Sequence, residues 1–329
     1  MGNRLSSLGV SPYTYNSSNH LMSLPSGSYT YDNNGNTKTK PDGTQYNWDF
    51  ENRLTQVVLP GSGGTVNFKY DPFGRRIQKS FTQGSTTTTT NYLYDRKNLL
   101  EELDSGGNVL ARYTQTRSLD QSLSELRSGI TSYYEVGGLG SITSLSNASG
   151  TLANTYTYDS YGKLTASTGT ITNPFQYTGR EFDPETGIYE YRARYYDQSV
   201  GRFLSEDPIG FKGGNNFYAY TNNNPVRYRD PNGLLRDCDQ EHIECWRKCW
   251  SQCPPWPFGP KGKGGHWRYC NAKCLAEYME CNAENDAERG AQYCSQNPAT
   301  CLAIGIGLAT LAAQPELAPL LPELAPALF

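Results

Sequence analysis

A short aromatic pattern recurs along the first two thirds of the chain and constrains its fold more than any other feature. In each clear copy two aromatic residues, separated by one residue, precede an Asp, and a Gly follows three positions after that Asp. Aromatic side chains at positions i and i+2 lie on the same face of a strand. An Asp caps a tight turn through its carboxylate, and a Gly adopts positive φ without steric cost. Clear copies lie at residues 29–35, 68–75 and 156–164, and weaker copies at 46–49 and 92–95.

Each copy therefore predicts a β-hairpin. A single hairpin is marginally stable in water, but stacked hairpins bury their aromatic faces against one another and cover their strand edges. The chain has 25 Tyr and 33 Gly among its 329 residues, a composition that argues against a helical bundle. We expect a mainly β fold of stacked hairpins.

The composition changes near residue 234. Twenty-two of the 25 Tyr precede this point, whereas all nine Cys lie from Cys238 to Cys301. The net charge of the whole chain is −3, which gives no basic surface for a nucleic acid. We therefore expect a chain of two chemically different regions and no nucleic-acid partner.

The stretch before this boundary is dense in recognisable motifs. Residues 175–189, 191–197, 201–211 and 230–234 resemble the repeat-associated core of the Rhs family, and the upstream aromatic pattern resembles its YD repeats. The resemblance covers about residues 25–234 and is weakest at 133–150. It implies that the repeats wind into a β-sheet shell around a variable C-terminal toxin, with the core stretch closing one end.

The array is shorter than the shells of that family, which use many hundreds of residues. A truncated or displaced gene end, a natural short form and a fragment of a longer protein each account for this length. We favour the displaced end and expect a partial shell.

Two Asp-Pro-x-Gly segments begin at Asp207 and Asp230, 23 residues apart. The resemblance implies that these aspartates form an aspartyl self-protease pair and that the cut falls between Leu234 and Leu235. Such chemistry needs two close carboxylates, because their repulsion keeps one protonated as an acid while the other activates water. The alternative is that both segments only form turns, with Asp first, Pro second and Gly fourth.

Four arginines in the core stretch could form an anion site. We instead expect them to pair with the acidic residues next to them in sequence, on exposed strand faces. They are Arg180, Arg192, Arg194 and Arg202.

Six cysteines after the boundary are placed symmetrically about a point between Gly259 and Pro260. At about 100° per residue, the three on each side share one helix face. The symmetry predicts an antiparallel helical hairpin, with residues 239–250 facing residues 271–288 across a Pro- and Gly-rich connection. The predicted disulfides are Cys238–Cys281, Cys245–Cys274 and Cys249–Cys270, and Cys253, Cys294 and Cys301 are left unassigned.

Zinc binding and free core thiols are the alternatives for these cysteines. Cys-x3-Cys spacing suits zinc, and His242 and His266 are nearby. The symmetry extends to Cys238 and Cys281, which a single zinc site does not require, so we favour disulfides and expect no metal and no cofactor.

The tail shows no catalytic set, and its final stretch is apolar and Pro-rich. The apolar run at 301–313 has 13 residues, whereas a membrane span needs about 20. We expect residues 302–329 to contact a membrane surface or a partner.

The first residues of the chain lack the pattern of a secretory signal peptide. Disulfides persist in oxidising compartments, so we expect a protein made in the cytoplasm, secreted by a dedicated apparatus and active in an oxidising compartment.

The resemblance and the residues together predict a polymorphic-toxin core end that self-cleaves to release a disulfide-stabilised effector for competition between bacteria, with an immunity protein as partner. The alternative is a non-enzymatic structural or binding protein, a displaced core end that displays a Cys-rich hairpin. The predicted segments are an N-terminal segment (residues 1–24), a repeat array (25–174), a core (175–234), a Cys-rich cargo (235–301) and an apolar end (302–329).

Overall fold

The computed structural model describes residues 2–7 and 10–234 together with Cys245 and Cys274. The chain divides into two units, Met1–Leu235 and Arg236–Phe329. In the second unit a disulfide joins Cys245 to Cys274. The predicted helices and the other two predicted bridges lie outside the described residues. No helix among the described residues is long and apolar enough to cross a membrane.

The first unit contains three antiparallel sheets, of three, fourteen and four strands. The three-stranded sheet consists of β1 (Thr14–Tyr15), β2 (Leu21–Leu24) and β3 (Gly27–Ser28). The four-stranded sheet consists of β18 (Glu181–Asp183), β19 (Ile188–Tyr191), β20 (Arg194–Asp197) and β21 (Arg202–Phe203). Short 3₁₀ helices lie at Tyr177–Gly179, Gly210–Gly213 and Thr221–Asn223.

The fourteen-stranded sheet, here called the wall, pairs its strands in sequence order from β4 to β17. Every connection is therefore a hairpin between neighbours. Its strands are β4 (Thr30–Tyr31), β5 (Thr37–Thr39), β6 (Gln45–Trp48), β7 (Leu54–Val58), β8 (Thr65–Tyr70), β9 (Arg76–Gln83), β10 (Thr86–Asp95), β11 (Asn98–Leu103), β12 (Val109–Gln115), β13 (Ser122–Arg127), β14 (Ile130–Val136), β15 (Ile142–Ser146), β16 (Leu152–Tyr158) and β17 (Leu164–Thr168).

The hairpin turns use the predicted Asp and Gly chemistry. In the turn between β8 and β9, Asp71 Oδ1 accepts the amides of Phe73 and Arg75, each at 2.9 Å. Gly74 has φ +77°. The same pair of amide bonds, to positions i+2 and i+4, is made by Asp32, Asp49, Asp104 and Asp159. The predicted turn structure is confirmed.

The aromatic residues of the repeats join each hairpin to the one before it. Tyr70 Oη donates to the carbonyl of Leu54 at 2.6 Å, in the hairpin before its own along the wall. Equivalent bonds are Trp48 to Thr37, Tyr94 to Arg76 and Tyr158 to Ile142. Each of these four aromatic donors reaches a backbone acceptor, so its polar atom is satisfied as the ring packs.

The core segment, residues 175–234, packs against the aromatic face of the wall. One cluster joins Ile188, Tyr195 and Leu204 of the core segment to wall residues that include Leu54 and Val66. A second cluster lies within the core segment and is mostly tyrosine. Its buried members are Tyr177, Tyr189, Tyr191, Tyr196, Phe203 and Tyr220.

Buried ion pairs also join the wall to the core segment. Lys40, in the turn between β5 and β6, lies 2.8 Å from Asp197, and Lys79 lies 3.0 Å from Asp183. Arg76 lies 2.9 Å from Glu181. Removing one member of a buried pair is costly because it leaves an uncompensated charge, so these contacts stabilise the core segment on the wall.

The expectation that the core arginines lie on exposed strand faces is wrong. Arg180, Arg194 and Arg202 are buried, at 2%, 1% and 5% exposure. Strands β19 and β20 are buried at every position, because both of their faces are covered. A strand covered on both faces has no solvent side for its charged residues, so each arginine needs a buried partner.

Candidate active site

The structure brings Asp207 and Asp230 together on one arginine. Arg194 Nη2 lies 2.9 Å from Asp207 Oδ2 and 3.3 Å from Asp230 Oδ2. The two carboxylate oxygens are therefore no further apart than the sum of these two distances. All three residues are buried, with exposures of 1% for Arg194, 5% for Asp207 and 0% for Asp230.

Each aspartate also opens a tight turn. Asp207 Oδ1 accepts the amide of Ile209 at 3.1 Å, and its carbonyl accepts the amide of Gly210 at 2.9 Å. Asp230 Oδ1 accepts the amide of Leu234 at 2.9 Å. The two Asp-Pro-x-Gly segments thus do form turns, as the alternative interpretation predicts. The same two aspartates also have their carboxylates on one arginine.

The turn between β19 and β20 holds the segment that leads to Leu234. Three consecutive carbonyls of that segment accept hydrogen bonds from three consecutive residues at this turn. The pairs are Pro231 O with the Arg192 guanidinium, Asn232 O with the Ala193 amide at 3.2 Å, and Gly233 O with Arg194 Nε. We call this set of contacts the carbonyl clamp.

Gly233 is required for the clamp to close. Its φ is +67°, and a Cβ at this position would fall on the carbonyl oxygen of Tyr191. The backbone before Leu234 can approach the turn this closely only because residue 233 has no side chain.

Arg194 is held from several directions besides its carboxylates. Its guanidinium carbon lies 3.6 Å from the centroid of the Phe203 ring, and Nη1 donates to the carbonyl of Phe217 at 2.9 Å. Burial lowers the pKa of Arg194, and the two carboxylates oppose that shift. A guanidinium cannot be deprotonated at ordinary pH, so this fixed positive charge offsets the repulsion between Asp207 and Asp230.

A wall residue reaches the clamp as well. Asp120, in the loop between β12 and β13, lies 2.7 Å from Arg192 and 2.6 Å from Arg180. Burial raises the pKa of the Asp120 carboxyl, but Arg180 and Arg192 outweigh burial and hold the pKa below its usual value. Asp120 is therefore ionised where it contacts both arginines.

Asp207, Asp230 and Leu234 are site residues predicted from the sequence, and the neighbouring arginines and Asp120 were not predicted as such. Arg194 and Arg192 were expected to pair with acidic neighbours in sequence, and Asp120 had no assigned role. One physical rule pointed to a cationic partner, because two aspartates that are both buried need a positive charge beside them. Leu235 lies outside the described residues.

The stacked hairpins, the buried core segment and the paired Asp-Pro-x-Gly turns define a YD-repeat protein of the Rhs type. The family model described as Teneurin YD-shell matches residues 2–226, so the chain belongs to this family.

Relatives of the chain carry toxin and nuclease names. The chain is 38% identical over 198 residues to the "tRNA3(Ser)-specific nuclease WapA" of Bacillus spizizenii, a match that covers 57% of this chain and 8% of the relative. It is 28% identical over 219 residues to the "Double-stranded DNA deaminase toxin A" of Burkholderia cenocepacia, a match that covers 58% of this chain and 15% of the relative. The chain thus spans a small fraction of the length of these relatives.

A solved structure shares this fold. A crystal structure of TcdB2-TccC3-Cdc42 superposes with a TM-score of 0.55 and 23% identity, over 68% of this chain and 13% of the solved chain. At this identity the likeness shows the fold alone.

Proposed function

We propose that the chain is the C-terminal portion of an Rhs-type polymorphic toxin whose core cleaves the peptide bond after Leu234. The observation that carries this proposal is the joint contact of Asp207 and Asp230 with Arg194, with Asp230 also accepting the amide of Leu234. Asp230 thus contacts the residue whose carbonyl would be attacked, and Asp207 shares an arginine with Asp230, which supports the proposal.

The reaction is hydrolysis by an aspartate pair. One carboxylate takes a proton from water, the water oxygen bonds to the Leu234 carbonyl carbon, and the carbon–nitrogen bond to residue 235 breaks. The other carboxyl, in its protonated form, supplies the proton that the leaving nitrogen needs. Both carboxylates contact the same arginine, so the proton is not assigned to either residue alone.

Arg194 has a positioning role in this scheme. A pair of buried carboxylates repels, and the guanidinium holds them near each other while one proton is exchanged. Its Nε bond to Gly233 O ties the same side chain to the segment that is cut.

The released piece, residues 235–329, is the effector in this proposal. The toxin names of the relatives and the Cys-rich composition of the tail support an effector that is secreted and acts in an oxidising compartment. An immunity protein and a secretion apparatus are its proposed partners, with membrane contact by residues 302–329.

A non-enzymatic core is the second candidate, and one observation favours it. Arg194 and the turn amides together give each aspartate strong partners, which is also how two structural aspartates would be satisfied. In that case the core displays the Cys-rich tail without cutting it.

Intact mass spectrometry of the purified full chain separates the two candidates. Wild type is compared with Asp207→Asn and Asp230→Asn. Asp183→Asn is the matched control, because Asp183 is also buried and ion-paired, with Lys79. Circular dichroism checks that each variant is folded.

We expect wild type and the control to yield a piece that ends at Leu234 and a piece of 95 residues, with both active-site variants intact. An uncut, folded wild type would select the non-enzymatic candidate.

A further inference from the structure

We infer that Asp120 is a positioning residue through which docking of the core segment on the wall enables cleavage after Leu234. This inference rests on the proposed self-cleavage. Asp207, Asp230, Arg192 and Arg194 all belong to the core segment, whereas Asp120 belongs to the wall.

The guanidinium of Arg192 connects Asp120 to the carbonyl clamp. Arg192 Nη1 contacts both Asp120 Oδ2, at 3.2 Å, and the carbonyl of Pro231. Arg192 Nη2 contacts Asp120 Oδ1 at 2.7 Å. Asp120 therefore holds the guanidinium through two nitrogens, and one of those nitrogens bonds the first carbonyl of the clamp. A two-point contact of this kind fixes the plane of the guanidinium as well as its position.

Asp120 holds a second arginine that supports the same turn. Arg180 Nη1 lies 2.6 Å from Asp120 Oδ1, and Arg180 also bonds the Glu190 carboxylate at 2.6 Å and the Glu190 carbonyl at 3.0 Å. Glu190 lies in β19, one residue before Tyr191, where the turn begins. Arg180, which bonds the residue before the turn, and Arg192, which bonds the clamp, thus both contact the carboxylate of Asp120.

Asp120 is itself held in a fixed conformation. It is 5% exposed and has φ +59°, in the left-handed region, which Asp adopts more readily than most other residues with a side chain. The cost of this backbone conformation is tolerated where surrounding contacts over-determine it. Here the surrounding contacts are the two arginines of the core segment.

Without Asp120 the Arg192 guanidinium keeps its bonds to the carbonyls of Pro231 and Lys97 but loses the carboxylate that it contacts through two nitrogens. The clamp then holds the segment before Leu234 less firmly relative to Asp207. A displacement of about 1 Å in a reacting group lowers rates by about 100-fold. The catalytic carboxylates are present before docking, but the geometry that they need is completed by the wall.

The test is the first-order rate at which the full chain, pulse-labelled during cell-free synthesis, converts to its two pieces. Wild type is compared with Asp120→Asn, Arg192→Gln and the double variant. Arg192→Lys tests rescue by a conservative change. Asp183→Asn removes a different buried contact between wall and core segment and is the matched control. Thermal melting of each chain, carrying Asp207→Asn to block cleavage, measures stability separately.

We expect Asp120→Asn and Arg192→Gln each to slow cleavage about 10- to 100-fold, with the double variant no slower than the slower single variant. Arg192→Lys should recover some of the lost rate, and Asp183→Asn should stay within about threefold of wild type. Arg192 is partly exposed, so its variants carry the test if Asp120→Asn fails to fold.

Cleavage of Asp120→Asn at the wild-type rate would overturn the inference while leaving self-cleavage in place. Equal slowing by Asp120→Asn and Asp183→Asn would also overturn it, because the effect would then follow stability alone. An uncut wild type would reject the proposed function and this inference together.

Discussion

Asp230 accepts the backbone amide of Leu234 at 2.9 Å, within the turn that Asp230 itself begins. This contact spans four residues and is fixed by local geometry. The approach of Asp207 is different, because Asp207 meets Asp230 at Arg194, which lies 2.9 Å from Asp207. One carboxylate of the proposed pair is thus placed by the turn and the other by the tertiary fold.

Gly233→Ala should open the carbonyl clamp. Gly233 has φ +67°, and a Cβ there would fall on the Tyr191 carbonyl. Gly187→Ala is the control, because Gly187 has φ +69° but a Cβ there meets nothing within 4 Å. We expect the control to lose about 1–2 kcal/mol from the left-handed backbone alone, with normal cleavage.

Urea unfolding and the fraction cleaved measure both effects. Gly233→Ala should lose more stability than Gly187→Ala and should not cleave. Equal behaviour of the two variants would show that the close approach at residue 233 does not matter.

Tyr70→Phe should weaken both the wall and its contact with the core segment. Tyr70 Oη donates to Leu54 O at 2.6 Å and lies 3.0 Å from Tyr195 Oη. Removing the hydroxyl leaves a buried carbonyl without this donor, which costs about 1–3 kcal/mol. Tyr133→Phe is the control, because Tyr133 is 43% exposed, and it should change the free energy of unfolding by less than about 0.5 kcal/mol. Similar values for the two variants in urea unfolding would contradict this role of Tyr70.

Glu125→Gln should remove a pH dependence of stability. Glu125 faces Glu102, Arg127 and Tyr134 on the wall, and burial raises the pKa of its carboxyl to about 7. A folded-state pKa above the unfolded value favours the protonated form, so this group's contribution to stability is full below about pH 4.5 and is lost as the pH rises through about 7. We expect the difference in unfolding free energy between variant and wild type to grow by roughly 2–4 kcal/mol from about pH 4.5 to about pH 8.

Urea unfolding of both proteins across this pH range makes the measurement. The two proteins differ only at residue 125, so a pH-dependent difference between them arises from that residue and its contacts. A constant difference between them would show that Glu125 is charged in the fold at neutral pH.

Reduction of the full chain should raise its mass by about six hydrogens, two for each of the three predicted bridges. Peptide mapping should recover Cys245 linked to Cys274, the disulfide that the structure places in the second unit. Loss of bound zinc in place of a mass change would favour the metal alternative for these cysteines.

The repeat architecture could be predicted from sequence because its determinants are local. Asp71 and Gly74 lie three positions apart and specify one turn without help from the rest of the chain. The partner of Tyr70 is a carbonyl in the neighbouring hairpin, so a correct repeat period leads to the correct stacking. Period and turn chemistry together are enough to predict the wall.

The organisation of the site could not be predicted in the same way. Arg194 lies 13 residues before Asp207 and 36 before Asp230, and acidic residues closer in sequence offered plausible partners. The partners of Arg194 depend on the burial of β20 on both faces. Alternation of polar and apolar residues along the sequence does not reveal such burial. Asp120 is even further from Arg194 in sequence, and its contacts depend on how the core segment docks on the wall.

The most direct test of the account is the intact mass of the purified wild-type chain beside Asp230→Asn. The account predicts that wild type separates into a fragment whose last residue is Leu234 and a fragment of 95 residues, while the variant keeps its full mass. A folded wild type of full mass, or a cut at a different bond that Asp230→Asn does not prevent, would contradict it.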